Sequence, residues 1–267
     1  MVNVNDIMIT SVEEIHVFDL SGEKWLFDLD ELQNVTIANS EEKEDIVGKK
    51  GRKLTTMKKN KSAVVSGSNG VVSGGLMAVQ TGGEFENGKT TVLWSESLFV
   101  KSSVATTNWT AIGTTGNEIK EVHVKDSATG VITNVLTQDA SVGSGKFTYD
   151  PATKGLKFDS GDVADGAEIV VHYNRYVEGS VLKNMNDKFS AKCMMIVDAM
   201  GEDKCSNVYH VQYVMPKVDF SGEFSQEMGD GQTMHNFEAE CLPGACSANG
   251  ELWTYTVFGV NAADVAA

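Results

Sequence analysis

Proline is scarce in this chain, three residues in 267, and cysteine nearly so, at four. So little proline leaves no proline-rich segment, and turns must be made mostly by glycine, asparagine and aspartate. No stretch approaches eighteen consecutive apolar residues, and Met1 to Asp6 contain neither a basic nor an apolar leader segment. The expectation is a protein without a membrane span or secretory signal, folding in a cytoplasm with its cysteines reduced. Positive charge is also short: 22 basic side chains stand against 37 acidic ones, for a formal net charge of −15. Such a balance disfavours tight binding to nucleic acid, whose phosphates need lysine and arginine to neutralise them. It does not disfavour nearness to DNA without adhesion.

Signatures of catalysis are missing as well. The five histidines, His16, His123, His172, His210 and His235, all fall in strand-like stretches, and no H-x-x-x-H, G-x-S-x-G or EF-hand pattern occurs. The glycine-rich run from Ser73 to Gly82 lacks the Gly-Lys-Ser/Thr that closes a phosphate loop. Asp159 to Asp165 carries spaced carboxylates, but it reads as a polar turn before it reads as a calcium loop. Cys241 and Cys246 are four residues apart, with Cys193 and Cys205 far upstream. Zinc knuckles are tighter, so the cysteines are expected to be small buried hydrophobes on strands. No catalytic residue, metal or cofactor is expected.

What is present points to β-structure. Glycine is plentiful, at 26 residues, and valine, threonine and serine are frequent. Residues 14–19 and 24–29 flank a Ser21-Gly22 turn and predict a hairpin, followed by a strand at 35–38. Ser73 as N-cap and Gly82-Gly83 as stop predict two turns of helix. From 92 to 182, strand candidates at 97–101, 119–125, 131–136, 146–149, 156–158 and 168–176 alternate with turns. One turn, Asp150 to Gly155, begins with Pro151 and offers Gly155 as its left-handed residue. Met194 to Val197 reads as a central buried strand. Further on, residues 208–220, a Gly229-Asp230-Gly231 turn and residues 233–241 predict a second hairpin, and 252–258 a last strand. Period-two alternation places His235, Phe237, Ala239 and Cys241 on its inner face, and Glu238 and Glu240 on its outer face.

Between the first strands and the helix the composition changes sharply. An acidic cluster from Glu41 to Asp45 precedes Lys49, Lys50, Arg52, Lys53, Lys58, Lys59 and Lys61, with no acid among residues 49–61. This segment reads as a polarised loop. It is either self-screening and solvated or a long arm reaching an acidic neighbouring subunit. No aromatics interleave with the cations, which argues against a nucleic-acid interface.

Three stretches give the chain a family likeness: residues 46–67 continuing to Gln80-Thr81-Gly82; residues 145–154 through 169–173; and residues 216–224 with Phe237 to Glu240 and Leu252 to Tyr255. In this order they resemble the major tail tube proteins of long-tailed, siphophage-like bacteriophages. The resemblance implies a mainly β fold, an antiparallel β-sandwich with one short flanking helix, whose strands complete a barrel between subunits. It implies one tail-tube domain over 1–267, with 92–182 as a possible insertion or outer lobe and 259–267 as a tail. It also implies a structural virion protein of the tail, assembled in the host cytoplasm, which stacks as hexameric rings into the tube that conducts DNA. Its partners would then be further copies of itself, a tape-measure protein, and terminator or tip proteins. The basic residues become an inter-subunit or inter-ring loop, and Asp219, Glu223, Glu227, Asp230, Glu238 and Glu240 become candidates for a channel wall that repels phosphate. The alternative is a non-catalytic virion decoration or carbohydrate-binding β-sandwich module, for which Trp94 and Trp109 are the available aromatics.

Overall fold

A computed structural model describes residues 4–126, 129–227, 234–243 and 250–259. The fold is mainly β, with one α-helix among the described residues. In chain order, β1 (Met8–Phe18), β2 (Trp25–Leu29), β3 (Leu32–Val47) and β4 (Lys53–Asn69) precede α1 (Gly74–Thr81). Seven strands follow: β5 (Phe85–Phe99), β6 (Val104–Thr106), β7 (Glu121–Lys125), β8 (Ile132–Gln138), β9 (Lys146–Asp150), β10 (Gly155–Phe158) and β11 (Glu168–Leu182). The chain ends with β12 (Lys192–Glu202), β13 (Val208–Phe220), β14 (Gln226–Glu227), β15 (Met234–Cys241) and β16 (Thr254–Gly259). It divides into two compact units, one from Met1–Phe85 with Leu182–Ala267 and the other from Glu86–Val181. The second unit nearly coincides with the regular stretch at 92–182.

The first unit is a sheet ordered β2-β1-β12-β13-β15-β4-β3, with β16 added alongside β13 and β14 alongside β15. Alternation in the sequence builds its core directly. Ile15 and Val17 of β1, Phe27 and Leu29 of β2, Met195 and Val197 of β12, and Phe237 and Ala239 of β15 all point to one face and are buried. The face closes over α1, which contributes Leu76 and Val79. Ser73 caps this helix by accepting the Leu76 N–H, and Gly82 ends it at φ +65°. The glycine at 75 is a matter of space, because a Cβ there would stand 2.3 Å from Phe27 Cβ. Glycine thus lets the helix sit directly on β2. His235 is fully buried beneath the helix start. Its Nδ1 accepts the Ser73 N–H at 3.4 Å and its Nε2 donates to Gln80 Oε1 at 2.9 Å. Burial holds it below the usual histidine pKa, so it is the neutral ring that pins α1 to β15.

The second unit is a seven-stranded sheet ordered β5-β11-β7-β8-β9-β10-β6, antiparallel where β11 meets β7, β7 meets β8, β9 meets β10 and β10 meets β6, and parallel where β8 meets β9. Ile119, Val122, Leu136, Phe147, Leu156, Ile169, Val171 and Tyr173 form its separate core.

Several expectations need correction. The segment at 49–61 is not a loop: most of it is strand, and the turn is confined to Gly48–Arg52. The strand expected at 35–38 is present but is only the early part of the sixteen residues of β3. The hairpin expected from 208–220 and 233–241 is mostly not one. β13 meets β15 only over Val218–Phe220, gives its first half to β16, and leaves β15 to pair with β4. In the Asp150–Gly155 turn, Lys154 takes the left-handed conformation, φ 57°, and Gly155 begins β10. Cys193 and Cys241 are buried on strands as expected, but Cys205 is exposed in a turn.

Candidate assembly surfaces

The most unusual feature of the first unit is the far half of the β3–β4 hairpin. Beyond Ser40 and Ser62 the two strands continue to pair, from Glu42↔Lys59 to Val47↔Lys53, with no buried residue on either. About eight residues at 3.3 Å each make an arm roughly 25 Å long. A two-stranded ribbon with no layer behind it is marginal in water. Its charges explain how it is held. Lys59 Nζ reaches Glu44 at 2.6 Å, Lys53 reaches Asp45 at 2.6 Å, and Lys58 reaches Glu41 at 2.8 Å. Thr56 donates to Asp45 at 2.9 Å and Asn60 to Glu42 at 2.7 Å. The hydrogen bond from Lys58 holds the Glu41 carboxyl below its usual range, and those from Lys53 and then Thr56 do the same for Asp45. The acidic and basic clusters of the sequence are therefore the two facing strands of one ladder.

This pairing divides the seven basic candidates. Lys53, Lys58 and Lys59 are committed within the arm. Lys49, Lys50, Arg52 and Lys61 form no ion pair among the described residues. The first three crown the tip, where Lys50 and Gly51 are both left-handed, at φ 68° and 74°. Around them Ile46, Val47, Leu54 and Met57 are exposed, with Leu54 64 % open to solvent. The arm thus presents free cations and bare apolar side chains at the end of a ribbon that has no layer behind it among the described residues of its own unit. It belongs to a sheet whose β2 and β3 edges carry no further strand among the described residues, a geometry that invites pairing with another chain.

The acidic candidates fall in two groups. Asp219 lies directly opposite Glu240, and Glu238 follows on the same face of β15, opposite to the core. Glu238 and Glu240 are exposed, while Asp219 is half-buried with Lys192 3.5 Å away. Glu223 and Glu227 are exposed beyond the end of β13, and Asp230 lies outside the described residues. Asp28 and Asp198 share that outer face but were not singled out from the sequence. They sit on β2 and β12, far apart in the chain, and only the outward parity of those strands marks them.

In the second unit, Arg175 stacks between the aromatic alternatives, its guanidinium carbon 4.4 Å from the Trp94 ring and 4.0 Å from Trp109. One face of each ring is therefore already occupied. The buried thiols of Cys193 and Cys241 are pushed up to about 11 by burial, which leaves them protonated at neutral pH and poor nucleophiles. No helix among the described residues is long and apolar enough to cross a membrane.

A search of curated proteins finds no match. The model of the YomU/Tube protein family matches residues 7–253. The chain belongs to that family, consistent with a structural tail tube protein of a bacteriophage.

Proposed function

We propose that this member of the YomU/Tube protein family is a self-assembling tail subunit, six copies to a ring, whose rings stack into a tube that conducts DNA. The observation that carries this reading is the β3–β4 arm, solvated on both faces and tipped with unpaired cations and apolar side chains. Its natural complement is a surface of another copy. The chain carries −15 overall, yet the arm segment 40–61 holds eight basic against four acidic side chains. Attraction between the arm and the acidic remainder of a neighbouring copy would steer docking and set polarity. The open edges at β2 and β3 would pair with those of adjacent copies in the ring, closing the barrel that each sheet begins.

The acidic outer face supplies the wall. Asp219, Glu238 and Glu240 facing the channel would repel phosphates, so that the genome slides without sticking. Screening confines the effect to about 8 Å at physiological salt, so only side chains near the duplex contribute. Tape-measure and terminator proteins would then meet the same tube at its bore and its end. Negative-stain microscopy of the purified chain tests the proposal. Hollow filaments of uniform width support it, whereas a monomer at every concentration and salt defeats it. Binding of glycans by such a monomer would instead favour a carbohydrate-binding module.

A further inference from the structure

The outer face of the first unit carries a second constellation, centred on His16. Its Nδ1 stands 2.8 Å from Asp28 Oδ1. On the other side of the ring, Nε2 lies 3.4 Å from Asp198 Oδ2 and 3.7 Å from Glu14 Oε2. Three strands therefore converge on one imidazole, with Glu14 from β1, Asp28 from β2 and Asp198 from β12. The register makes this convergence obligatory, because His16 pairs with Asp28, and Glu14 pairs with Asp198. We propose that His16 Nε2, Asp198 and Glu14 bind a divalent transition cation of the zinc class, with Asp28 as the outer partner that fixes the ring.

Three features support this assignment. Two ligand atoms each about 2.1 Å from a tetrahedral zinc lie about 3.4 Å apart, which matches the Nε2–Asp198 distance and nearly matches that to Glu14. Asp28 accepts at Nδ1, which leaves Nε2 as the coordinating nitrogen in the neutral ring, the carboxylate–histidine–metal arrangement of many metal sites. The carboxylates are themselves positioned: Trp25 Nε1 donates to Asp28 at 2.7 Å, and Gln212 Nε2 donates to Asp198 Oδ1 at 2.9 Å, leaving Oδ2 towards the histidine. Glu14, His16 and Asp198 are all half-buried, so solvent can deliver an ion and occupy an open position. Three carboxylates against one imidazole leave a negative surplus that a dication neutralises. An imidazole in the set favours zinc over magnesium or calcium, which prefer oxygen alone.

Zinc takes the lone pair of Nε2, so any proton held there leaves to buffer as the cation enters. The test uses the full chain in a Cys205→Ser background, since an exposed thiol competes for zinc, stripped with chelator and titrated calorimetrically with zinc. The expected result is one zinc per chain. His16→Ala should weaken that site at least a hundredfold, and Asp28→Asn about tenfold with stoichiometry unchanged. Circular dichroism confirms the fold of each variant, and His16→Gln replaces His16→Ala if the latter unfolds. Uptake equal in wild type and in the folded histidine variant, absence of uptake in both, or preference for calcium over zinc would each overturn the assignment.

Discussion

Reversing the three tip cations, Lys49→Glu, Lys50→Glu and Arg52→Glu together, separates assembly from folding. None of the three has an ion-pair partner among the described residues of its own chain, so monomer stability should change by no more than about 0.5 kcal/mol. Assembly should respond strongly. The arm segment would pass from a surplus of four positive charges to a deficit of two. Solvent-edged ion pairs contribute up to about 1 kcal/mol each, and like charges cost a similar amount. Losing three contacts and opposing part of what replaces them gives about 3 kcal/mol per docked arm. At 1.4 kcal/mol per decade that is about a hundredfold rise in the critical concentration. Sedimentation of assembled material against total protein measures this value directly, with circular dichroism reporting the fold. A contrasting variant, Lys58→Glu with Lys59→Glu, attacks the pairs to Glu41 and Glu44 and should loosen the arm itself. Filaments from the tip variant at the wild-type critical concentration would refute the steering role of the tip, and unfolding of that variant would refute the claim that its charges are uncommitted.

Other outcomes follow from the same geometry. Gly75→Ala should destabilise the first unit by about 1–3 kcal/mol in urea unfolding, because overpacking against Phe27 exceeds the ~1 kcal/mol that alanine gains in a helix. At His16, burial lowers the pKa, but the hydrogen bond to Asp28 and the charges of Glu14, Asp28 and Asp198 outweigh it and hold the ring above its ordinary value. In metal-free protein its stabilisation is therefore complete below about pH 6.5 and is lost as pH rises through the raised pKa, so the Tm advantage over His16→Gln should shrink between pH 6 and 9. Glu41 and Asp45 have lowered values, so the arm's ladder should hold above about pH 4 and loosen below it, seen as faster amide exchange at 40–61 relative to the core. Glu238→Lys with Glu240→Lys should leave tubes intact and slow DNA passage, and unchanged ejection rates from intact tubes would remove the repulsive-wall reading.

Much of this fold was legible in local chemistry. The ends of α1 are set by Ser73 and Gly82, whose capping acts within a few residues, and the inner face of β15 follows from simple alternation. The arm was legible as charge but not as strand. It buries nothing, so it has no apolar period, and its ladder depends on cross-strand pairs that become evident only in register. The divided pairing of β13 was hidden for a related reason: β15 and β16 both fit beside it, and long-range placement decides which half each takes. The left-handed Lys154 escaped because a glycine stood next to it. The His16 constellation draws on residues 14, 16, 28 and 198, which no spacing rule connects.

The central claim is that the arm is completed by another copy of the chain. Hydrogen exchange at residues 40–61, compared between the dispersed subunit and assembled protein, tests it most directly. The account predicts rapid exchange in the subunit and strong protection after assembly, with the core strands unchanged. Equal protection of these residues in both states, or filaments in which they still exchange freely, would contradict it.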